Sequence, residues 1–567
     1  MASVVPISIV PEAKTGSRTA DLLEIARLRI RISWQLASLS LLVHADAFRS
    51  APLLYLQGLV WRIRGLRVRS RNRIAALAGR SPRAYELWIV RNEAASKPPV
   101  PISGPTIWPI IDCRNDTGSL VETLESLVGA GAKIEPILIG TDAKVGKRRL
   151  QKPCELAKLI ADRRPWLLPL VAGDRLAAGS LAIYTNAASH AHRSCLIYAD
   201  DDLISSGKRH APHFKPDWNP ELLEHHDYVS GSCIVRVDRK ALASLTDEGW
   251  AEALTRMALD SGGIPLHIKQ VLHHRRSRPE PVIPAKPAQI QLPLPPSVTA
   301  IIPTLNGHAL LRSCINGLEQ AGYPCMETII VDNGSDEPAT LSYLAALEQK
   351  GATVLRLPGP FNYSALNNQA VKHAKSELLC FLNNDVEMTD PDWLAMLVQH
   401  AVKPDLGAVG ARLLYPDGSI QHAGVFTGIG GGAGHAHRFQ RADESGYFER
   451  ARLPQRVSAV TAACMVVAKE KFVAVGGFDE ERFPVAFNDV DLCLKLNGRG
   501  WQSFYEPRAT LVHHESKSRG SDRSKDKRAR FAGELASLKR VWNTDKIRDP
   551  YHHPNLSAFC EEFLVAL

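Results

Sequence analysis

No two cysteines in this chain form a CxxC pair. The ten present, at positions 113, 154, 195, 233, 314, 325, 380, 464, 493 and 560, are scattered, several of them inside apolar strand-like runs. That excludes a disulfide framework or a paired-cysteine zinc site and reads as reduced, buried thiols of a cytoplasmic protein. The start, MASVVPISIVPEAK, lacks a basic segment followed by an unbroken apolar one, so no secretory leader is read there. A membrane-spanning helix is not expected either. The stretch WQLASLSLLVHADAFRSAPLLYLQGLVW is interrupted by His44, Asp46, Arg49 and Pro52, short of the roughly 20 uninterrupted apolar residues that spanning requires. No helix-turn-helix, RRM or zinc-finger pattern accompanies the basic charge, which argues against nucleic acid as the partner.

What is present is an ordinary globular composition of 567 residues, 45% hydrophobic and 23% charged, with a net charge of +10. This length accommodates two or three domains. Arginines crowd the N-terminal region at 27, 29 and 31 and again at 62, 64, 67, 69, 71 and 73. Two readings fit them: a basic amphipathic arm lying on an anionic leaflet, or a solvated helical hairpin packed on its own domain.

Residues 278–296, RPEPVIPAKPAQIQLPLPP, hold seven prolines in nineteen positions and read as an extended linker. Beyond it, buried strands alternate with helices: SVTAIIPTLN, HALLRSCINGLEQAG, METIIVDNGSD, LSYLAALEQKG, GATVLRLPG, YSALNNQAVKHAK and LLCFLNNDVEM. This alternation predicts a parallel α/β sheet with right-handed crossovers. The polar strand ends Thr304-Leu305-Asn306, Asp332-Asn333 and Asn383-Asn384-Asp385 would open on one edge, where such sheets bind ligands.

IIPTLN, IIVDNGSD, FNYSALNNQA, FLNNDVE, AACMVVAKEKFVAVGGFDE, FNDVDLCLKLNGRGW and PRATLVHHE occur in the order found in family 2 glycosyltransferases of the GT-A fold. The resemblance is closest to rhamnosyltransferase-like enzymes of surface-polysaccharide (O-antigen) assembly and covers about residues 297–520. It implies an inverting hexosyltransferase that uses a nucleotide-sugar donor, UDP- or dTDP-linked, a divalent cation (Mn²⁺ or Mg²⁺) and a polysaccharide or lipid-linked acceptor. Pro303, Thr304, Asn306, Asp332, Asn333, Asn367, Asn383 and Asn384 then stand at nucleotide-sugar-binding positions. The Asn383-Asn384-Asp385 run occupies the place of the family's DxD; its first position is not acidic, which leaves Asp385 as the main metal carboxylate. His513 takes the position of a histidine that commonly completes the site.

The chemistry asks for those residue types. Departure of a diphosphate from an anomeric carbon leaves negative charge that a hard cation held by carboxylate oxygen neutralises. The transfer passes through an oxocarbenium-like state, so a carboxylate that takes the acceptor's proton accelerates it. Asp489, near the start of DVDLCLKLNGRG, is the expected base; the plain alternative is that Asn488 and Asp489 only cap that helix. The glycine-rich segment from His422 to Phe439 fits either an acceptor-side lid or an idle loop, and SKSRGSDRSKDKRAR either a flap over diphosphate or a solvated stretch.

The first half repeats the pattern: TIWPIIDCRND, IEPILIGTD, PWLLPLVAGDRL and SCLIYADDDLI are buried runs with polar ends. An internal repeat changes the fold expected. The predicted architecture is a helical basic region (1–99), a degenerate GT-A-like domain (100–278), a linker (279–296), a catalytic GT-A domain (297–520) and a C-terminal helical extension (521–567). Asp200-Asp201-Asp202 resembles a metal site, but the family's metal aspartate falls earlier, at Asp174, where Arg175 would repel a cation. EGWAEALTRMAL also lacks the paired acidic pattern of a base. Activity is therefore expected in the second half, in a cytoplasmic protein that is soluble or peripheral at the inner face of the plasma membrane. The rivals are two working domains in one chain and a non-catalytic nucleotide- or glycan-binding scaffold.

Overall fold

The computed structural model describes residues 18–93, 103–141, 148–287, 290, 292, 294–515 and 525–567. Four helices come first: α1 (Arg18–Ser50), α2 (Pro52–Ile63), α3 (Arg67–Gly79) and α4 (Ala84–Asn92). Pro52 opens α2, where its missing N–H is one that a helix start leaves unpaired anyway. Helices α2 and α3 approach through Gly58, at which a Cβ would come within 2.9 Å of Ile74. The packed side of α2 is thus its glycine side, and most of its leucines face outward.

Two sheets follow, and they share one strand order. In the second, neighbours run Thr353–Arg356, Met326–Asp332, Val298–Thr304, Leu378–Leu382, Cys464–Ala468, Leu406–Leu414, Gln502–His513 and Val386–Met388. Its joins are parallel three times, antiparallel twice, parallel, then antiparallel. In the first, Arg149–Leu150, Ile137–Ile139, Ile107–Asp112, Trp166–Val171, Cys233–Arg236, Leu196–Ser205, Leu266–Arg275 and Arg175–Leu176 repeat that succession of senses. The strands expected to be parallel are so, but each sheet is mixed because Cys464–Ala468 and Cys233–Arg236 insert antiparallel. Strand direction is set by the connection rather than by the residues of the strand, so an apolar run does not announce it.

Strand Leu378–Leu382 explains the unbroken apolar runs. Leu379 and Phe381 enter one core, while Leu378, Cys380 and Leu382 enter the other. Both faces are covered, so no alternate position turns polar. The run read as one strand to Met388 breaks at Asn383–Asp385 and resumes as Val386–Met388, and this break presents the polar side chains. Among the described residues, the C-terminal extension is helical only over Lys525–Trp542. Asn543 then takes a left-handed conformation (φ 52°), and Pro550 and Pro554 disfavour further helix. The remaining tail crosses the molecule: Asp217 N–H donates to the Pro550 carbonyl at 2.7 Å, and Arg80 of the arm pairs with Glu562.

The tail and the arm meet at Asp200-Asp201-Asp202, which lies within strand Leu196–Ser205 and is fully buried. Each carboxylate is engaged from a different direction. Asp201 pairs with Lys215 Nζ at 2.6 Å and with Arg278, so that, although burial alone would raise it, these cations hold its carboxyl well below the usual range. Asp202 accepts from Tyr85 of α4 at 2.6 Å, from Arg209 and from His274. Asp200 faces His267 and, from the tail, His553, each at 3.0 Å. Asp201→Asn would leave buried Lys215 and Arg278 short of a counter-charge, a change that costs about 3–5 kcal/mol. A thermal transition lowered by several degrees is expected, and an unchanged one would show that the pairing does not stabilise the fold.

Candidate active site

The polar strand ends of the second sheet line a cavity of about 580 Å³, walled by Pro303, Thr304, Asn383, Asn384, Asp385, His513 and Asp489. Seven of the residues singled out from the sequence are therefore brought together. Asn384 Nδ2 donates to Thr304 Oγ1 at 2.9 Å, joining two neighbouring strand ends. Asp385 is buried, and its backbone carbonyl accepts from His514 N–H at 2.9 Å. That bond continues the antiparallel register in which Val386 lies opposite His513. The sheet itself sets His513 Nε2 3.1 Å from Asp385 Oδ1.

Four other residues stand behind or away from the wall. Asn306, left-handed at φ 53°, accepts from the Asp336 and Glu337 N–H groups and donates to Asp336 Oδ1, tying two strand-end loops together. Asp332 accepts from Ser335 N–H and pairs with Arg356 at 3.1 Å. Asn333 donates to the carbonyls of Leu357 and Gly359. Asn367 is fully buried within helix Tyr363–Val371 and donates to the Tyr363 carbonyl.

Asp489 sits at the second position of helix Asn488–Gly498. The N-cap is Phe487, held left-handed (φ 61°) and also on the cavity wall. Asp489 Oδ1 accepts from Val490 N–H at 2.8 Å and Oδ2 from Ala462 N–H at 3.2 Å. Burial pushes its carboxyl up, against the pull of those two amides, so capping does not exhaust its role: the group is tuned toward accepting a proton.

Gln421 was not legible from the sequence. Its Oε1 accepts from His513 Nδ1 at 3.1 Å, while its Nε2 faces Glu515 at 3.3 Å, which fixes the amide's orientation. With the proton on Nδ1, His513 turns the Nε2 lone pair toward the Asp385 carboxylate, and the Asn383 amide lies 3.3 Å from the same nitrogen. A lone pair and a carboxylate oxygen facing one another suit a divalent cation, with a bound diphosphate free to supply the remaining ligands. Nothing in GSIQHAG marks Gln421 beforehand, since its role depends on pairing across the sheet. The glycine-rich segment forms a hairpin, Val425–Thr427 with Ala433–His435, and Val425, Ala433, Gly434 and His435 line the cavity. Burial holds His435 down at about 4 and His422, 2.9 Å away, well below the usual range, so both are neutral. Lys527 and Arg530 of the C-terminal helix complete the wall; Ser516–Ser524 of the Ser-rich stretch lie outside the described residues.

The first sheet lacks this constellation. By register, Arg175 lies opposite His274 as Val386 does opposite His513, which makes Asp174 the counterpart of Asp385. Asp174 accepts from Arg276 N–H, and its carboxyl is pushed by burial up to about 6. Helix Trp250–Asp260 also starts after a left-handed residue, Gly249, and has Ala251 where the other has Asp489. Among the described residues, Asp200, His267 and His553 have cation-site spacing, with ligand atoms within 4.8 Å of one another. His553 Nδ1, however, accepts from Asn555 N–H at 3.0 Å, which leaves Nε2, 3.0 Å from Asp200 Oδ2, to carry the ring proton. His267 has Asp217 on Nδ1 and Asp200 on Nε2; burial opposes its charge, but the two carboxylates raise its pKa. The trio is a charge-assisted tie between tail and domain.

Replacing Gln421 by Leu removes the group that fixes the His513 tautomer. The expected result is roughly 10–100-fold weaker Mn²⁺ binding, read by titration calorimetry on a chain with an unchanged thermal transition. Equal affinity would remove Gln421 from the site.

Residues 299–455 match the family model described as glycosyl transferase family 2. The chain is 38% identical over 418 residues to uncharacterized protein y4gI of Sinorhizobium fredii, covering 65% of this chain and 46% of that one. It is 35% identical over 431 residues to O-antigen biosynthesis protein RfbC of Myxococcus xanthus, covering 68% and 33%. It is also 32% identical over 147 residues to the Mycobacterium tuberculosis N-acetylglucosaminyl-diphospho-decaprenol L-rhamnosyltransferase, covering 25% and 48%. The chain spans about half or less of the length of these curated relatives. The matched segment carries Thr304, Asn383 and Asp385 of the cavity, so the part of the chain that holds the site is the part that is similar to family 2 glycosyltransferases.

Proposed function

We propose that the second domain is an inverting glycosyltransferase that moves a sugar from a UDP- or dTDP-linked donor to a polysaccharide or lipid-linked glycan of the bacterial surface, at the cytoplasmic side of the membrane. The observation that carries this reading is the placement of Asp385 with His513 and of Asp489 on one cavity. A divalent cation bound by Asp385 and His513 would neutralise the diphosphate as it leaves. Thr304 and Asn384, bonded to each other, shape the floor against which the nucleotide lies. Asn306, Asp332 and Asn333 act from behind by fixing the strand-end loops. Lys527 and Arg530 face the cavity from the C-terminal helix and supply positive charge for phosphate oxygens.

In the step itself, the acceptor hydroxyl oxygen forms a bond to the anomeric carbon as the bond from that carbon to the diphosphate oxygen breaks. The hydroxyl proton passes to Asp489, and the nucleoside diphosphate departs with the bonding electron pair. Attack from the face opposite the leaving group inverts the anomeric centre. The first domain is non-catalytic in this reading, because Ala251 replaces the base and the buried aspartates are already paired.

Incubation with a panel of nucleotide sugars and acceptor glycans should release nucleoside diphosphate and extend the acceptor; binding of donor without release would leave a scaffold. Asp489→Asn should lower the transfer rate by about 10²–10⁴-fold with donor affinity nearly intact. Because burial raises the Asp489 carboxyl and the base works only when ionised, the wild-type rate should fall as pH drops through a value above the ordinary carboxylate range. That acid limb should be absent from whatever rate the Asn variant retains, and its persistence would assign the base elsewhere.

A further inference from the structure

Helices α1 and α2 carry apolar rows that nothing among the described residues covers. On α1 the exposed residues Ile30, Trp34, Leu41 and Phe48 recur at one-face helical spacing, with Trp34 and Leu41 each 73% exposed. On α2 the row is Leu53, Leu56, Val60 and Ile63, with Leu53 80% and Ile63 85% exposed. Close packing on α3 through Gly58 leaves this row outside. A helix as apolar as α2 is normally buried, and exposed apolar rows of this kind mark an interaction surface.

The charge beside the patch says what covers it. Between Asp46 and Glu86 the sequence has no acidic residue and nine arginines, at 49, 62, 64, 67, 69, 71, 73, 80 and 83. Arg62, Arg64, Arg67 and Arg69 are exposed within the same stretch as Ile63, Leu66 and Val68. Side chains of this kind extend their stems along an apolar surface and keep their charge in the headgroup layer. No helix among the described residues is long and apolar enough to cross a membrane, so this combination suits helices lying in the interfacial plane. Nucleic acid would use the arginines but leave the leucines in water.

We infer that α1, α2 and α3 dock on an anionic lipid leaflet and thereby present the active-site cavity to an acceptor carried by that leaflet. The second half of this statement rests on the transferase reading; the docking does not. A second cavity, of about 390 Å³, is lined by Asn72 of α3, by Arg438 and by Glu561 of the tail, and it shares Ala433 and Gly434 with the cavity that holds Asp489. Arg71, next to Asn72, stacks on Phe559 of the tail at 3.9 Å. The arm therefore adjoins a mixed polar and apolar route to the hairpin side of the site, the side left for the acceptor when the donor lies over the strand ends.

The test is flotation of the full chain with vesicles of phosphatidylcholine alone and of phosphatidylcholine and phosphatidylglycerol in equal parts. The expected result is binding to the mixed vesicles at least about tenfold above the neutral ones, weakened by salt. Leu53→Glu with Ile63→Glu, both at exposed positions, should abolish it at an unchanged thermal transition. Nucleoside diphosphate release onto a water-soluble acceptor fragment should persist in that double variant. No vesicle binding, equal binding to both compositions, or binding to duplex DNA in place of vesicles overturns the docking. So does a dimer in sedimentation that the double variant dissolves while vesicle binding is absent. If vesicles bind and no nucleoside diphosphate is released from any donor, the docking stands and the transferase reading fails.

Discussion

The interaction on which the remainder of the molecule depends is the charge balance around Asp200, Asp201 and Asp202. Three adjacent carboxylates inside a sheet would be untenable without counter-charges, since each would lose its hydration. Here they are met by Lys215, Arg209 and Arg278, by three histidines and by a tyrosine hydroxyl. Those partners come from α4, from two neighbouring strands, from the segment just after one of them, from the start of the linker and from the C-terminal tail. Neutralising the aspartates therefore fixes how the arm, the first domain and the tail sit together. Tyr85 and Trp88 of α4 and Phe214 then share one apolar core with Phe381 and Met465 of the second domain.

This accounts for the contrast between two sheets of identical strand order. In the first, the acidic run is consumed internally by cations on the same fold. In the second, Asp385 is left at a strand break, with a histidine across the ladder and an open cavity before it. The difference does not lie in topology, which the two share, but in a few side chains: Ala251 against Asp489, and Asp174 followed by Arg175 against Asp385 followed by Val386. A fold gives a place for chemistry, and the side chains at that place decide whether any occurs.

Around the second site the groups form a chain of dependence. Glu515 orients Gln421, Gln421 sets the His513 tautomer, and His513 faces Asp385. Burial would raise Glu515, yet Arg438 above all keeps it low and ionised. Arg438 also lines the second cavity, next to the arm, so the proposed metal side and the proposed acceptor route share a residue.

The sequence by itself determined the alternation of strands and helices, the tandem repeat, and seven residues that converge on one cavity. These follow from local pattern: apolar runs bury on both faces, and polar residues at their ends emerge at one edge of the sheet. It also determined the crowding of arginines in the arm, while leaving open whether they face a leaflet or solvent. Only the tertiary structure decided the antiparallel insertions, which depend on connections, and the irregular course of the tail after Trp542. It alone turned Asn367 into the core instead of the cavity, and it alone supplied Gln421, whose strand and that of His513 both pair with Leu406–Leu414. The fate of Asp200-Asp201-Asp202 was likewise undecidable from its own neighbours. An acidic triplet reads alike whether it awaits a cation or already has one, and here the cations are Lys215, Arg209 and Arg278, while a histidine of the distant tail reaches Asp200 from across the fold.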